Sequence, residues 1–193
     1  MPGLLRRCAA PAGTIERVKG PRRLYVLRHA KSSWDDESLP DHERPLSERG
    51  QRATALLARY VREHNIQPEL ILCSSARRTR ETLEGVSPPG TALIEHRLYG
   101  ATSDDLLERL REVPADLRSV MLVGHNPALQ MLVLRLADRE APGRSPEAEG
   151  LEDIRRKLPT GALVTLEFDD PWAELEHRSA ELVDYVRPRA LQF

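Results

Sequence analysis

The chain has 193 residues, enough for one domain with a sizeable core. With 29 Lys and Arg against 30 Asp and Glu, the net charge is −1, which gives no global case for binding nucleic acid or a membrane surface. Its two cysteines, Cys8 and Cys73, have neither disulfide-framework nor metal-ligand spacing, so a cytoplasmic location fits, and neither a metal site nor a cofactor is expected.

Residues 1–22 carry Pro2, Gly3, Pro11, Gly13 and Gly20 and no apolar run behind Arg6 and Arg7. They are expected to be a flexible leader rather than a signal peptide, with residues 23–193 forming a single domain. No apolar stretch approaches the ~20 residues of a membrane span.

Leu24 to Arg28 reads as a short buried strand. Residues 30–46 are polar and proline-bearing, and read as a long loop. Ser47 is placed to cap a helix with Leu56, Leu57, Tyr60 and Val61 on one face, ended by Asn65 and Pro68. Leu70 to Cys73 is a second strand, followed by a helix from about Ala76 to Glu84 and a Pro88-Pro89-Gly90 turn. Leu93-Ile94 marks a third strand, and Ser103 is expected to cap a helix with Leu106, Leu107 and Leu110. Ser119 to Val123 is a fourth strand, leading through Gly124-His125 into a Leu-rich helix from Pro127 to Ala137. Residues 138–157 are charged and read as an exposed excursion with little core. Ala162 to Phe168 and Leu182 to Val186 complete the strands. This alternation predicts an α/β fold, a three-layer α/β/α sandwich with a mostly parallel central sheet.

Three segments fall just past a strand's carboxyl end: Arg28-His29, Ser74 to Arg78, and Gly124-His125. Sites of such sheets form there. His29 is the candidate nucleophile, since a neutral imidazole attacks phosphorus at ordinary pH. Arg28 and Arg78 are the candidate phosphate clamp, with Arg77 and Arg80 competing for the second place. His125 is a candidate hydrogen-bond donor or proton carrier. Lys31, Ser32, Trp34 and Asp41 are candidates to line the pocket mouth. For a general acid, Asp41, Glu43, Glu95 and Asp104 all compete, each equally at home as a surface charge. Cys73 does not fit a cysteine phosphatase, because the residue six positions on is Thr79 rather than arginine, and its apolar strand favours an inert thiol.

Arg28-His29-Ala30 after an apolar strand resembles the R-H-G/A signature of the histidine phosphatase superfamily, which has the phosphoglycerate-mutase-like fold. Ser74 to Thr82 resembles its second segment and aligns Arg78 with the second arginine. Val123 to Pro127 resembles its third. Arg28 to Trp34 and Arg44 to Gly50 are more similar to the short SixA-type phosphohistidine phosphatases. The resemblance covers roughly residues 23–190. It implies a cofactor-independent phosphatase in which His29 takes the phosphoryl group and Arg28, Arg78 and His125 hold it.

The larger mutases carry a glutamate acid shortly after the third strand, where this chain has Arg97-Leu98-Tyr99-Gly100. A missing acid suits phosphohistidine, whose protonated imidazole leaves readily, better than an ester with a poor alkoxide leaving group. The expected partner is therefore a phosphorylated protein, with a small phosphorylated metabolite as the alternative; a monomer is expected. Asp41 or Glu43 folding over the site would favour the metabolite. A non-catalytic phosphate-binding module is the remaining reading, disfavoured because binding alone needs no nucleophile.

Overall fold

A computed structural model describes residues 20–137 and 146–191. In chain order its strands are β1 (Arg22–Arg28), β2 (Leu70–Ser74), β3 (Thr91–Glu95), β4 (Ser119–Gly124), β5 (Leu163–Phe168) and β6 (Glu181–Val186). Its helices are α1 (Glu48–Glu63), α2 (Arg77–Val86), α3 (Ser103–Arg111), α4 (Ala128–Ala137) and α5 (Pro146–Arg156). The strands form one six-stranded sheet in the order β3-β2-β4-β1-β5-β6. The first four run parallel, and β5 and β6 add antiparallel to one edge.

Strand side chains alternate between faces, so each central strand feeds two cores. Leu24, Val26, Leu72 and Leu122 pack against α3, α4 and α5, with Trp172 fully buried among them. Tyr25, Leu27, Ile71, Cys73 and Val123 pack on the other face against Leu57, Tyr60 and Val61 of α1 and Val86 of α2. The expected three-layer sandwich is present. Because β4 inserts between β1 and β2, the carboxyl ends of β1, β4 and β2 lie side by side, where the chain reverses its winding.

Four details differ from the sequence reading. The expected excursion over 138–157 holds α5, whose Leu151 and Ile154 are buried; residues 138–145 lie outside the described residues. Two apolar residues one turn apart suffice to seat a helix whose other faces are charged. The cap of α3 is Thr102, not Ser103: its hydroxyl accepts from the Asp105 N–H, and the Asp105 carboxylate accepts from the Thr102 N–H. The loop over 30–46 is tied down by a bridge between Ser32 and Leu46 and contains a 3₁₀ turn at Asp41–Glu43. The expected leader lies outside the described residues except for 20–22, and Arg22 already belongs to β1.

Among the described residues, no helix is long and apolar enough to cross a membrane.

Candidate active site

His29 directly follows β1, and its N–H donates to the carbonyl of Gly124 at the end of β4 (3.1 Å). Its ring Nδ1 lies 2.7 Å from the Ala30 carbonyl oxygen. A carbonyl only accepts, so Nδ1 carries the proton and Nε2 holds the free lone pair. The residue is 8% exposed. Burial pushes its pKa down to about 4; the Ala30 hydrogen bond opposes this, while the charges of Arg78 and Arg28 add to it. The ring is therefore neutral at pH 7.

His125 follows β4, and its ring centroid is 5.2 Å from that of His29. Its Nε2 shares a hydrogen bond with the buried Ser74 hydroxyl at the end of β2 (2.9 Å), and its Nδ1 is buried without a partner. Burial, then His29 and Arg78, push its pKa down to about 3.

Arg78 sits in the first turn of α2, whose N-cap, Ala76, offers no capping side chain. It is 8% exposed, whereas Arg77 and Arg80 are exposed and Arg77 is paired with Glu81. Its NH1 donates to the Asp41 carbonyl (2.6 Å) and its NH2 to Asp41 Oδ2 (3.0 Å). Arg28 donates from NH1 to the Leu158 carbonyl (2.7 Å), while its Nε is buried without a partner. Burial holds its pKa below the ordinary arginine value.

The pocket-mouth residues divide. Asp41 joins the site: Oδ2 also accepts from the Tyr99 hydroxyl (2.9 Å) and Oδ1 from Arg44 NH1 (3.1 Å). Burial pushes its carboxyl up, but the hydrogen bonds from Tyr99, Arg78 and Arg44 and the Arg78 charge outweigh it and hold the pKa below the usual range. Ser32 is buried and its hydroxyl accepts from Arg44 NH2 (3.0 Å), a loop contact. Trp34 is 67% exposed, with the Arg44 guanidinium 3.1 Å above its ring centroid. Lys31 is exposed, and its carbonyl accepts from the Ser47 N–H at the start of α1 (2.9 Å).

The other acid candidates are committed elsewhere. Glu95 is gripped by Arg109 through Nε and NH2, and Arg109 with Arg97 holds its carboxyl low. Glu43 is bonded to His42 (2.6 Å), and Asp104 is paired with Arg135. Gly100, where a mutase glutamate would fall, has φ +76° and open space where a Cβ would stand. A cavity of about 110 Å³ there is lined by Gly100, Gly124, His125 and Asn126 among others. Burial pushes the Cys73 thiol up to about 12, so it is inert.

Sequence reasoning missed Ser74, Arg44, Tyr99 and His42 as members of this network. The Tyr99 ring stands edge-on to His42 (4.8 Å) and to His125 (5.7 Å). Ser74 lay just past a strand's carboxyl end and Arg44 opened the Arg44 to Gly50 segment, both usable signals; Tyr99 and His42 had none, because loop positions do not reveal their contacts. Among the described residues, no cluster of three His, Cys, Asp or Glu could hold a metal ion. A larger groove of about 680 Å³ between α5 and β6 is lined by Glu152, Asp153, Arg156, Asp184 and Tyr185 among others, and by neither His29 nor His125.

A model of the histidine phosphatase superfamily (branch 1) matches residues 24–98. An uncharacterized protein of Mycobacterium tuberculosis (strain H37Rv) is 33% identical over 163 residues, spanning 84% of this chain and 100% of that protein. A solved structure from Nakamurella multipartitia, provisionally assigned as a SixA phosphohistidine phosphatase, superposes with a TM-score of 0.77 at 30% identity, covering 88% of this chain and 98% of that one. The chain belongs to the histidine phosphatase superfamily. Its phosphoglycerate-mutase-like sheet and helices are those of the superfamily's solved members. Phosphohistidine phosphatase SixA of Escherichia coli (strain K12) is a more distant member, 25% identical over 126 residues, 62% of this chain and 77% of that protein.

Proposed function

We propose that this histidine phosphatase removes phosphoryl groups from phosphohistidine on a protein, passing them through Nε2 of His29. The observation that carries the reading is the state of His29: neutral, its Nδ1 proton committed to Ala30, and flanked by Arg28 and Arg78. Such a ring attacks phosphorus without first losing a proton.

Arg78 offers a guanidinium with five N–H donors, two of them held by Asp41, so others remain for phosphoryl oxygens. Arg28 Nε and His125 Nδ1 are buried polar atoms without partners, a costly state that phosphoryl oxygens would relieve after small adjustments. With the Ser74 hydroxyl donating to Nε2, His125 would present its Nδ1 proton to the developing charge.

The acid candidates support a nitrogen leaving group. Glu95 and Asp104 are spent in ion pairs, Glu43 in a hydrogen bond with His42, and Asp41 is held ionised. An alkoxide leaving group would need a proton that none of them is set to give; a protonated imidazole needs none. The second reading, a small-ester phosphatase, has one observation in its favour: Asp41 does lie over the site, on Arg78. Its depressed pKa counts against its use as an acid.

The test is phosphate release from a phosphohistidine protein and from a panel of alkyl phosphate esters, with His29→Ala as control. Preferred turnover of phosphohistidine, abolished in the variant, is expected. Preferred turnover of the esters would replace this reading with the second. Phosphate binding without turnover of either would leave a binding module.

A further inference from the structure

Asp41 bears on the chemistry through its surroundings. Its side chain is 53% exposed at the rim, while both histidines are largely buried beneath. Arg44 from its own loop, Arg78 from α2 and the Tyr99 hydroxyl from beyond β3 hold its two oxygens, with His42 and Glu43 beside it in the same 3₁₀ turn. Its negative charge acts on both His29 and His125, in each case favouring the protonated ring, against the opposing charges of Arg28 and Arg78. Three elements thus fix a carboxylate close to the place where a substrate's phosphoryl group must sit.

An ionised carboxylate beside an incoming phosphoryl dianion is unfavourable unless the substrate brings positive charge with it. A sugar phosphate or a carboxylated metabolite brings none. A phosphoimidazole protonated on its distal nitrogen carries a cation directly attached to the phosphoryl group. Its flat ring also suits a rim walled by Tyr99 and His42, whose rings meet edge to face.

We infer that Asp41 is the residue that selects a ring-nitrogen leaving group, its carboxylate accepting a hydrogen bond from the distal N–H of the substrate's phosphoimidazole; this deepens, and rests on, the reading given above. The contact favours the protonated form of the substrate, the form that departs readily. In the transfer, a bond forms between His29 Nε2 and phosphorus as the substrate's P–N bond breaks. The electron pair of the broken bond returns to the departing ring. That ring already carries its distal proton, so it leaves as neutral imidazole and no proton is delivered. Water then attacks phosphorus, and the electron pair of the P–N bond returns to His29. Both protons of the water leave with the product as dihydrogen phosphate.

The test compares kcat/KM for a phosphohistidine peptide and for p-nitrophenyl phosphate, from acid to alkaline pH, in the wild type, Asp41→Asn and Asp41→Glu. In Asp41→Asn the ratio of phosphohistidine to aryl phosphate turnover is expected to fall about tenfold, the size of one hydrogen bond to a charged group. The alkaline limb of the phosphohistidine profile is expected to move to lower pH, and Asp41→Glu to recover part of the ratio. Equal losses on both substrates with an unmoved limb would show that Asp41 only positions Arg78, and would overturn the inference. If Asp41→Asn does not fold, Asp41→Glu carries the comparison: a ratio and limb identical to wild type, despite the displaced carboxylate, would count against selection. A wild type that releases no phosphate from the peptide would overturn the function reading itself, a result distinct from an unchanged ratio in an active enzyme.

Discussion

The rings of His29 and His125 lie 5.2 Å apart, tilted by 52°, and burial keeps both neutral well below the ordinary histidine range. Two imidazoles so close cannot both be charged without cost, and the nearby arginines add to it.

Stability should therefore fall on mild acidification. Each ring has a folded pKa, about 4 and about 3, below its unfolded value, so the unfolded chain binds more protons as pH drops. The contribution is full above the unfolded pKa of about 6.5 and is lost from there down towards the folded pKa. The expected slope is on the order of 1 kcal/mol per pH unit for each ring. Urea denaturation between about pH 7 and 5, above most of the carboxylate range, measures it. A flat profile, or one that His125→Asn leaves as steep, would contradict the assignment.

Arg78→Ala should reduce kcat by about a hundredfold or more, the usual consequence of removing a fixed donor to a transition-state oxyanion. Arg77→Ala and Arg80→Ala should cost far less, since both side chains are exposed. Equal losses for all three would remove Arg78 from the clamp.

Ser74→Ala deletes the hydroxyl that orients His125, leaving a second ring nitrogen of that residue unpaired. About a tenfold fall in kcat with KM little changed is expected, since the contact is one hydrogen bond. A change in KM alone would mean that His125 contributes to ground-state binding and not to the chemical step.

Glu95→Gln separates ion pairing from acid catalysis. Loss of its bond to the buried Arg109 should cost about 2 kcal/mol, read as a lower Tm. Turnover should stay within about threefold, far from the 10²–10⁴ that loss of a general acid would bring. A collapse in kcat on esters would restore Glu95 as the proton donor.

Gly50 lies in the first turn of α1, where a Cβ would stand 2.2 Å from the Lys31 carbonyl oxygen. Gly50→Ala should push the loop after His29 off the helix, costing about 1–3 kcal/mol as overpacking does. Thermal unfolding with a parallel activity assay checks this; an unchanged Tm would mean that the loop yields freely.

The sequence by itself determined the alternation of strands and helices, the mostly parallel sheet, and the placing of His29, Arg78 and His125 past strand ends. Local rules govern these features: apolar runs make buried strands, and in such sheets side chains past the carboxyl ends converge. What the sequence could not decide was which polar group meets which. Asp41, Glu43, Glu95 and Asp104 read alike along the chain, yet the first lies on Arg78 while the others are held, in turn, by His42, Arg109 and Arg135. Those pairings join residues up to 37 positions apart, as Asp41 and Arg78 are, with no periodicity to betray them. The same holds for α5, which composition made a surface excursion and two buried side chains made a helix of the core. Local pattern sets the elements; only the fold sets the partners, because a charge takes its role from the groups that folding brings beside it.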